Sequence, residues 1–280
     1  MNFTVQYSVS KITLLHRVDP VEVRMFKNLM VGLMLVGLML SAAMFSPTRC
    51  PAGLIGADSA NDVVYDNGWT SGDNGGSGFA AWALSTTGVN SGHFIGNSTS
   101  VGGPGANINV VNESFGMFGH STQSSIANRS FTNALNVGDE FSADLAVNFR
   151  NGAKGFNLYA GGTEIFNFNV GSDDYRVNGN SIGNSYSANT QFRLLFTQSS
   201  ASAGTWRITR SGGVADVDTG TYSGIASGFR LYVNGTDNGS NQNNFFANNF
   251  TLTAIPEPSS MIMVILGLAG SGIAGRRRRF

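Results

Sequence analysis

Carboxylates near turns are the side chains of this 280-residue chain whose spacing suits metal chemistry. A single residue separates Asp216 from Asp218, so an extended strand would place both carboxylates on the same side. Asp173–Asp174 and Asp237–Asn238 add oxygen ligands, which calcium prefers, near predicted turns. None of these pairs fits a twelve-residue EF-hand loop, and aspartate is also a common turn former. Asp216 and Asp218 are therefore the calcium candidates, and no other cofactor is expected.

Acid–base catalysis on a glycan would require two carboxyl groups roughly 5–10 Å apart. The candidates are Glu113, Asp144 and Glu164, which lie in or beside predicted strands. Asp144 lies between the apolar residues of an alternating run, and Glu164 begins a strand. Both side chains are therefore expected to point to solvent. The sequence therefore predicts a protein without enzymatic activity, with a secreted polysaccharide hydrolase or lyase as the less favoured alternative.

Zinc ligands are scarce. Apart from His16, the histidines are His93 and His120, which form no HxxxH pair, and the chain has one cysteine. Typical zinc sites draw three or four ligands from histidine, cysteine and carboxylate side chains. The sequence supplies no such set.

Aromatic side chains could stack on sugar rings beside the Asn-rich loops. This would make the protein a lectin-like carbohydrate-binding module, although aromatic residues in strands more commonly belong to a core. The candidates are Tyr65, Trp69, Trp82, Tyr175, Tyr186 and Tyr222.

The elements that must position these residues are strands. Apolar residues recur at every second position, with tight-turn signals such as Asn151-Gly152 between the runs. The alternating runs lie within residues 141–149, 156–160, 166–170, 192–196, 206–208, 229–233 and 250–254. Residues 70–78 and 97–107 are predicted as long loops, the first place to expect a binding surface. Residues 58–254 are thus predicted to form one all-β domain, an antiparallel, jelly-roll-like β-sandwich that loosely resembles the concanavalin-A-like sandwiches.

The charge of this predicted domain differs from that of the whole chain, which is formally neutral. Residues 58–254 contain 14 acidic and 8 basic side chains, a net charge of six negative. An acidic, lysine-poor domain is unsuited to the phosphate backbone of a nucleic acid. Nucleic acid is therefore excluded as a partner.

An apolar segment with the layout of a signal peptide precedes the domain. We interpret residues 1–24 as upstream sequence included in error ahead of a true start at Met25. A short basic stretch follows, and Leu29–Phe45 is apolar apart from one serine. Residues 25–57 are therefore predicted to be a signal-peptide helix with its cleavage region, recognised by the Sec translocon and signal peptidase.

Small residues at Ser41–Ala43 offer a cleavage site, and Ala57 or Ala60 offer later ones. Cys50 lies between them. Because it is the single cysteine, no intramolecular disulfide can form. Thr48 and Arg49 precede it in place of small residues, so lipidation is not expected.

The C-terminal residues 255–280 combine three features in a fixed order. Pro256, Glu257 and Pro258 form an extended spacer, since proline disfavours helix in the residue before it. The uncharged residues 259–275 would form a helix of roughly 26 Å, close to the ~30 Å hydrocarbon core. The arginines Arg276, Arg277, Arg278 and Arg279 should stay cytoplasmic, which places the domain outside.

This order resembles the PEP-CTERM sorting signal of Gram-negative bacteria, over about the last 26 residues. The resemblance implies recognition at Pro256, Glu257, Pro258 and Arg276–Arg279 by an exosortase, an integral-membrane cysteine protease. It also implies transient anchoring in the inner membrane through a single transmembrane helix, then delivery to the outer cell surface or extracellular matrix. The expected function is a structural or adhesive role in an exopolysaccharide or biofilm matrix, with extracellular polysaccharide as a partner.

Overall fold

The computed structural model describes residues 52–102, 106–147, 149, 151–171, 174–183, 190–236 and 240–255. Three predicted segments fall outside these ranges: the upstream residues 1–24, the signal-peptide helix, and the sorting signal from Pro256 onward. Within them, no helix has the length and apolar character needed to cross a membrane. What the structure describes is therefore the region between the two predicted targeting segments.

Fifteen strands and a few short helical turns make up the described chain. The strands are β1 (Gly53–Asp58), β2 (Ala83–Thr86), β3 (Ser91–Gly96), β4 (Ser114–Gly119), β5 (Ser124–Ser130), β6 (Glu140–Val147), β7 (Ala153–Ala160), β8 (Thr163–Asn169), β9 (Arg176–Val177), β10 (Asn180–Ser181), β11 (Thr190–Ser200), β12 (Ala203–Ser211), β13 (Asp216–Ser223), β14 (Gly228–Asn234) and β15 (Phe245–Ala254). The helical elements are α1 (Thr99–Gly102) and the 3₁₀ turns Val63–Tyr65 and Asn241–Asn243.

The strands form two antiparallel sheets packed face to face, which confirms the predicted β-sandwich. The eight-stranded sheet has the order β13-β12-β11-β6-β15-β4-β3, with β1 paired to β15 beyond the end of β4. The seven-stranded sheet has the order β10-β9-β8-β7-β14-β5-β2. Each sheet turns one side inward to the core and one side outward, as the period of two requires.

The predicted alternation holds through most of the strands. In β11, for example, Phe192, Leu194 and Phe196 are buried and the residues between them are more exposed. The prediction that Phe149 extends the run of β6 was wrong. β6 ends at Val147, and the Phe149 side chain is 44% exposed.

Stacked phenylalanines form the centre of the core. The rings of Phe141 and Phe229 stack at 5.1 Å, and those of Phe156 and Phe196 stack at 5.4 Å, joining the two sheets. A buried ring removes 150–250 Å² from water, which contributes about 4–6 kcal/mol gross. These rings hold together a sandwich that has no disulfide.

A buried polar network closes one end of this core. Arg129 on β5 forms an ion pair with Asp58 on β1, and both side chains are fully buried. The Asp58 carboxylate also accepts a hydrogen bond from the Tyr65 hydroxyl at 2.9 Å. The Arg129 guanidinium lies over the rings of Phe79 and Trp82, at 4.8 and 4.7 Å from their centres. Burial lowers the pKa of Arg129 to about 9, so the side chain remains charged at neutral pH.

The first strand begins at Gly53, five residues before the predicted domain start at Asp58. β1 pairs with β15 from Gly53 opposite Ala254 to Asp58 opposite Phe250. Cleavage after Ala57 would remove all of this strand except Asp58, and cleavage after Ala60 would remove the buried Asp58 as well. The fold therefore favours the earlier cleavage site at Ser41–Ala43 over the later ones.

Candidate functional site

The aromatic residues singled out for sugar stacking lie in the core. Trp69 and Trp82 pack edge to face at 5.0 Å and are 3% and 1% exposed. The predicted role is wrong for these two residues and for Tyr65, Tyr175 and Tyr222, which are equally buried. Their rings fill space between the sheets and cannot reach a ligand. Tyr186 lies outside the described residues.

The three candidate catalytic acids do not converge on one face. Asp144 projects from the outer face of the eight-stranded sheet, where Arg193 pairs with it at 3.0 Å. Glu164 is exposed on the outer face of the seven-stranded sheet. Glu113 lies in the turn that precedes β4, and its backbone oxygen accepts a hydrogen bond from Asn248. Asp144 and Glu164 thus face opposite sides of the sandwich and cannot act on the same bond.

The calcium candidates Asp216 and Asp218 lie on the same side of β13, the edge strand of the eight-stranded sheet. Asp216 accepts a hydrogen bond from Arg210 at 3.4 Å, and the positive charge of Arg210 acts to lower the pKa of Asp218. Burial, and then the negative charge of Asp216, raises the pKa of Asp218. No group of three or more metal-ligating side chains occurs in the described ranges, and Asp173 and Asp237 fall outside them. Calcium binding at Asp216 and Asp218 stays a prediction.

The two histidines have separate environments. His93 faces the core, where its Nε2–H donates to the Ile126 carbonyl at 3.1 Å and its ring meets Trp69 edge to face. His120 packs against Phe118 on the outer side of the same sheet, with the two rings tilted by 32°. The two rings therefore do not form a common site.

Lowering the pH is expected to destabilise the fold through His93. Burial lowers the pKa of His93 from 6.5 to about 4. The unfolded chain takes up a proton near pH 6.5 while the folded chain resists it, so stability present above pH 6.5 is lost as the pH falls toward 4. Discounted for the partial exposure of the ring, the unfolding free energy should fall by about 2 kcal/mol between pH 7 and pH 4.

Urea unfolding at a series of pH values measures this effect. His93→Gln should flatten the dependence over that window, because glutamine does not titrate. His120→Gln is the matched control and should keep the wild-type dependence. An unaltered slope in His93→Gln would rule out His93 as the cause.

A polar groove crosses the outer face of the seven-stranded sheet. We call it the Arg230 groove and define it by Asn128, Asn157, Tyr159, Asn167, Arg230 and Tyr232. It consists of two hollows of about 220 and 260 Å³, and Arg230 on β14 lines both. The side chains come from β5, β7, β8 and β14, where outward positions alternate with the phenylalanines of the core.

Arg230 is held in place at the junction of the two hollows. Its Nε donates to the Asn128 side-chain oxygen at 2.8 Å, and its guanidinium lies 5.1 Å from the centre of the Tyr159 ring. The two terminal nitrogens of Arg230 make no hydrogen bond within the described part of the chain. The guanidinium therefore presents free donors to the groove in a fixed orientation.

Amides and a tyrosine line the second hollow. The Asn167 amide donates to the Asn157 side-chain oxygen at 3.0 Å and to the Tyr232 hydroxyl at 3.1 Å, and Asn157 in turn donates to Glu164. Burial raises the pKa of Tyr232 to about 12, so its hydroxyl stays protonated. The Tyr232 hydroxyl lies beside Gly155, where a Cβ would come 2.0 Å from the Phe168 carbonyl oxygen and 2.7 Å from the hydroxyl oxygen. Glycine at this position lets the ring lie close to the sheet.

Fixed donors, acceptors and partly exposed rings along a shallow groove suit a polyhydroxylated ligand such as a glycan chain. Sequence reasoning looked for a binding surface in loops and missed this one. The signal was available, because Asn157, Tyr159, Arg230 and Tyr232 occupy the polar positions of two alternating runs. The sequence does not show that β7 and β14 are neighbouring strands. Their pairing is what brings these positions together.

The C-terminal end of the chain matches a family model. Residues 254–279 match the PEP-CTERM protein-sorting motif, in the range where Pro256–Pro258, the apolar segment and the arginines occur. This confirms the resemblance predicted from those residues. No curated protein matches the chain as a whole.

Several solved structures share a distant likeness to the sandwich. An alginate lyase from Corynebacterium sp. is 14% identical, with 52% of this chain and 78% of that one covered and a TM-score of 0.34. A family 11 carbohydrate-binding module from Clostridium thermocellum is 10% identical, with 72% and 98% covered and a TM-score of 0.28. The CBM2 module of the Lactobacillus casei BL23 phage J-1 evolved Dit is 14% identical, with 46% and 69% covered and a TM-score of 0.33. Scores this low carry no argument about a ligand or an activity.

Proposed function

We propose that this PEP-CTERM protein, exported and targeted to an exosortase, is an adhesive component of an extracellular polysaccharide or biofilm matrix. Its sandwich is the part that remains outside the cell, on the outer surface or in the matrix. We further propose that it adheres by binding polysaccharide and acts without catalysis. The observation that carries the adhesive role is the Arg230 groove.

The groove supports glycan binding through three complementary features. The guanidinium of Arg230 has free donors, and the Tyr159 ring beneath it holds the cation in position. The Tyr232 hydroxyl accepts from Asn167, and its own proton has no acceptor within the described ranges. A sugar chain offers hydroxyl groups to all of these partners, and a carboxylate-bearing sugar would in addition pair with Arg230.

The alternative of a hydrolase or lyase receives less support from this groove. Glu164 is the acidic side chain in contact with the groove residues, and it is hydrogen-bonded to Asn157. A hydrolase of the usual kind requires a second carboxyl group within about 10 Å on the same side of the substrate. Among the earlier candidates, Asp144 lies on the opposite face.

Arg230→Gln is expected to weaken polysaccharide binding about 30-fold, the effect of removing a central arginine contact (~2 kcal/mol). The measurement is affinity electrophoresis or calorimetry of the exported protein with exopolysaccharide extracted from the producing cells. Arg207→Gln is the matched control, since Arg207 is exposed on the outer face of the other sheet. Equal affinity of wild type and Arg230→Gln would refute the groove as the binding site.

A further inference from the structure

A second, chemically different hollow lies on the opposite face of the sandwich. We call it the Phe94 pocket and define it by Phe94, Phe118, His120, Asn241, Asn244 and Phe246. It encloses about 320 Å³ on the outer face of the eight-stranded sheet, where β3, β4 and β15 meet. Most phenylalanines of the domain are buried in the core, but Phe94 and Phe118 are half-buried on this outer face. Phe94 packs against Phe246 of a small apolar cluster on this face, yet both Phe94 and Phe118 stay partly exposed.

Glycines shape the floor of this pocket. Phe94 pairs across the strands with Gly116, and Phe118 pairs with Gly92. A Cβ at Gly116 would come 2.4 Å from the Phe94 ring, and a Cβ at Gly92 would come 2.7 Å from the Phe118 ring. The rings therefore lie across the glycines and close to the sheet, an arrangement known to support glycine in strands. It forms an aromatic surface on which an apolar ring face can stack.

Polar groups without internal partners border the aromatic floor. Asn244 is 7% exposed, yet its side-chain amide makes no hydrogen bond within the described residues. The amide atoms are not among the buried polar atoms that lack a partner, so they reach solvent, and a ligand in the pocket would bond to them in place of water. Asn241 lies beside it and is exposed.

The hydrogen bonds of His120 determine its tautomer. The Thr236 hydroxyl donates to the Gly119 carbonyl at 2.8 Å, so its oxygen is left to accept from Nδ1–H of His120 at 2.9 Å. In the neutral ring the proton is then on Nδ1, and Nε2 is an acceptor. Nε2 has no donor within the described part of the chain.

We propose that the Phe94 pocket is a second saccharide site, and that it takes one uncharged pyranose ring of a polysaccharide. Pyranose C–H faces stack on aromatic rings, and their hydroxyls both donate and accept, which matches the amides and the Nε2 acceptor. The described residues that line the pocket are phenylalanines, amides, a serine, a glycine and His120, which suit an uncharged sugar ring. The Arg230 groove has the opposite preference.

The two sites together make the domain bivalent. They lie on opposite outer faces of the sandwich, because the inner faces of both sheets are occupied by the core. One molecule can therefore hold two polysaccharide chains and cross-link them, with the gain in avidity that two linked sites provide. This inference rests on the proposed function and adds to it a second ligand class and a cross-linking role.

Cross-linking and binding are measured separately with the exported protein. The probes are exopolysaccharide from the producing cells, a neutral β-glucan and a uronate polymer. Calorimetry reports binding, and light scattering reports cross-linked assemblies. Phe118→Leu keeps the apolar volume without the ring, Asn244→Ala removes the free amide, and Phe149→Leu is the matched control at an exposed ring outside both sites.

We expect Phe118→Leu and Asn244→Ala to lose about tenfold in affinity for the neutral polymer and to lose scattering with exopolysaccharide. Binding to the uronate polymer should stay at the wild-type level in both. Wild-type scattering in both variants, or a single saccharide site per molecule, would overturn this inference and leave the Arg230 groove standing. Absence of binding to all three polymers would overturn the proposed function as well.

Discussion

Asp58→Ala is expected to lower the free energy of unfolding by about 3–5 kcal/mol, because it leaves the Arg129 charge buried without its counter-ion. The remaining hydrogen bonds of Arg129 cannot replace a carboxylate. They are hydrogen bonds to the Ala80 and Gly75 carbonyls at 2.9 Å and to the Asn74 side chain at 3.1 Å. The same substitution removes the acceptor of the Tyr65 hydroxyl. For a domain of this size, the midpoint of thermal unfolding should drop by about 10 °C.

Two controls separate this effect from the general cost of losing an ion pair. Arg193→Gln breaks the ion pair between Arg193 and Asp144. The Arg193 side chain is 54% exposed, so this change should lower the free energy of unfolding by less than about 1 kcal/mol. Asp58→Ala combined with Arg129→Met removes both charges and should be less damaging than the sum of the single changes. Chemical denaturation of the wild type, Asp58→Ala, Arg129→Met, the double variant and Arg193→Gln gives these values. A loss in Asp58→Ala no greater than in Arg193→Gln would contradict the assignment.

Replacing Pro256, Glu257 and Pro258 together by alanine is expected to abolish exosortase processing. Proline disfavours helix in the residue before it, whereas three alanines would allow the predicted membrane helix to continue into this segment. The precursor should then accumulate in the membrane fraction at full size, and release of the mature protein should be lost. Immunoblots of membrane, surface and medium fractions measure the distribution.

Asp66→Ala is the matched control for this replacement, since it removes an exposed carboxylate from a turn of the sandwich. It should be processed and released like the wild type. Normal release of the triple-alanine variant would show that the sorting machinery does not read this tripeptide.

Local pattern was enough to predict the class of fold. In β6 and β11 the alternation of phenylalanine and leucine with polar residues predicted both strands and their inward faces. The alternation pattern was not enough to predict a strand in which glycine replaces outward side chains. β4, with the sequence SFGMFG, places Phe115 and Met117 inward and Phe118 outward. Because glycine has no side chain, a run of this kind shows little contrast between its two faces.

The polar interior required information that sequence neighbours do not contain. Arg129 occupies an inward position of β5, and its partner Asp58 is 71 residues away. A charged side chain at an inward position is rare unless it is paired. Predicting the Arg129–Asp58 pair would therefore have required knowing which strands lie close together. The two outer-face sites have the same origin, since each takes its residues from strands distant in sequence.

The pairing of β15 has a mechanical consequence. β15 leads at Ala254 directly into the segment that carries the sorting motif, and it is flanked by β6 on one side and by β4 and β1 on the other. Antiparallel hydrogen bonds run perpendicular to the strands, so tension applied from the C-terminal end loads both rows in shear and not one bond at a time. Tension applied to the chain from the C-terminal side would then be resisted along the whole length of an interior strand of the sheet.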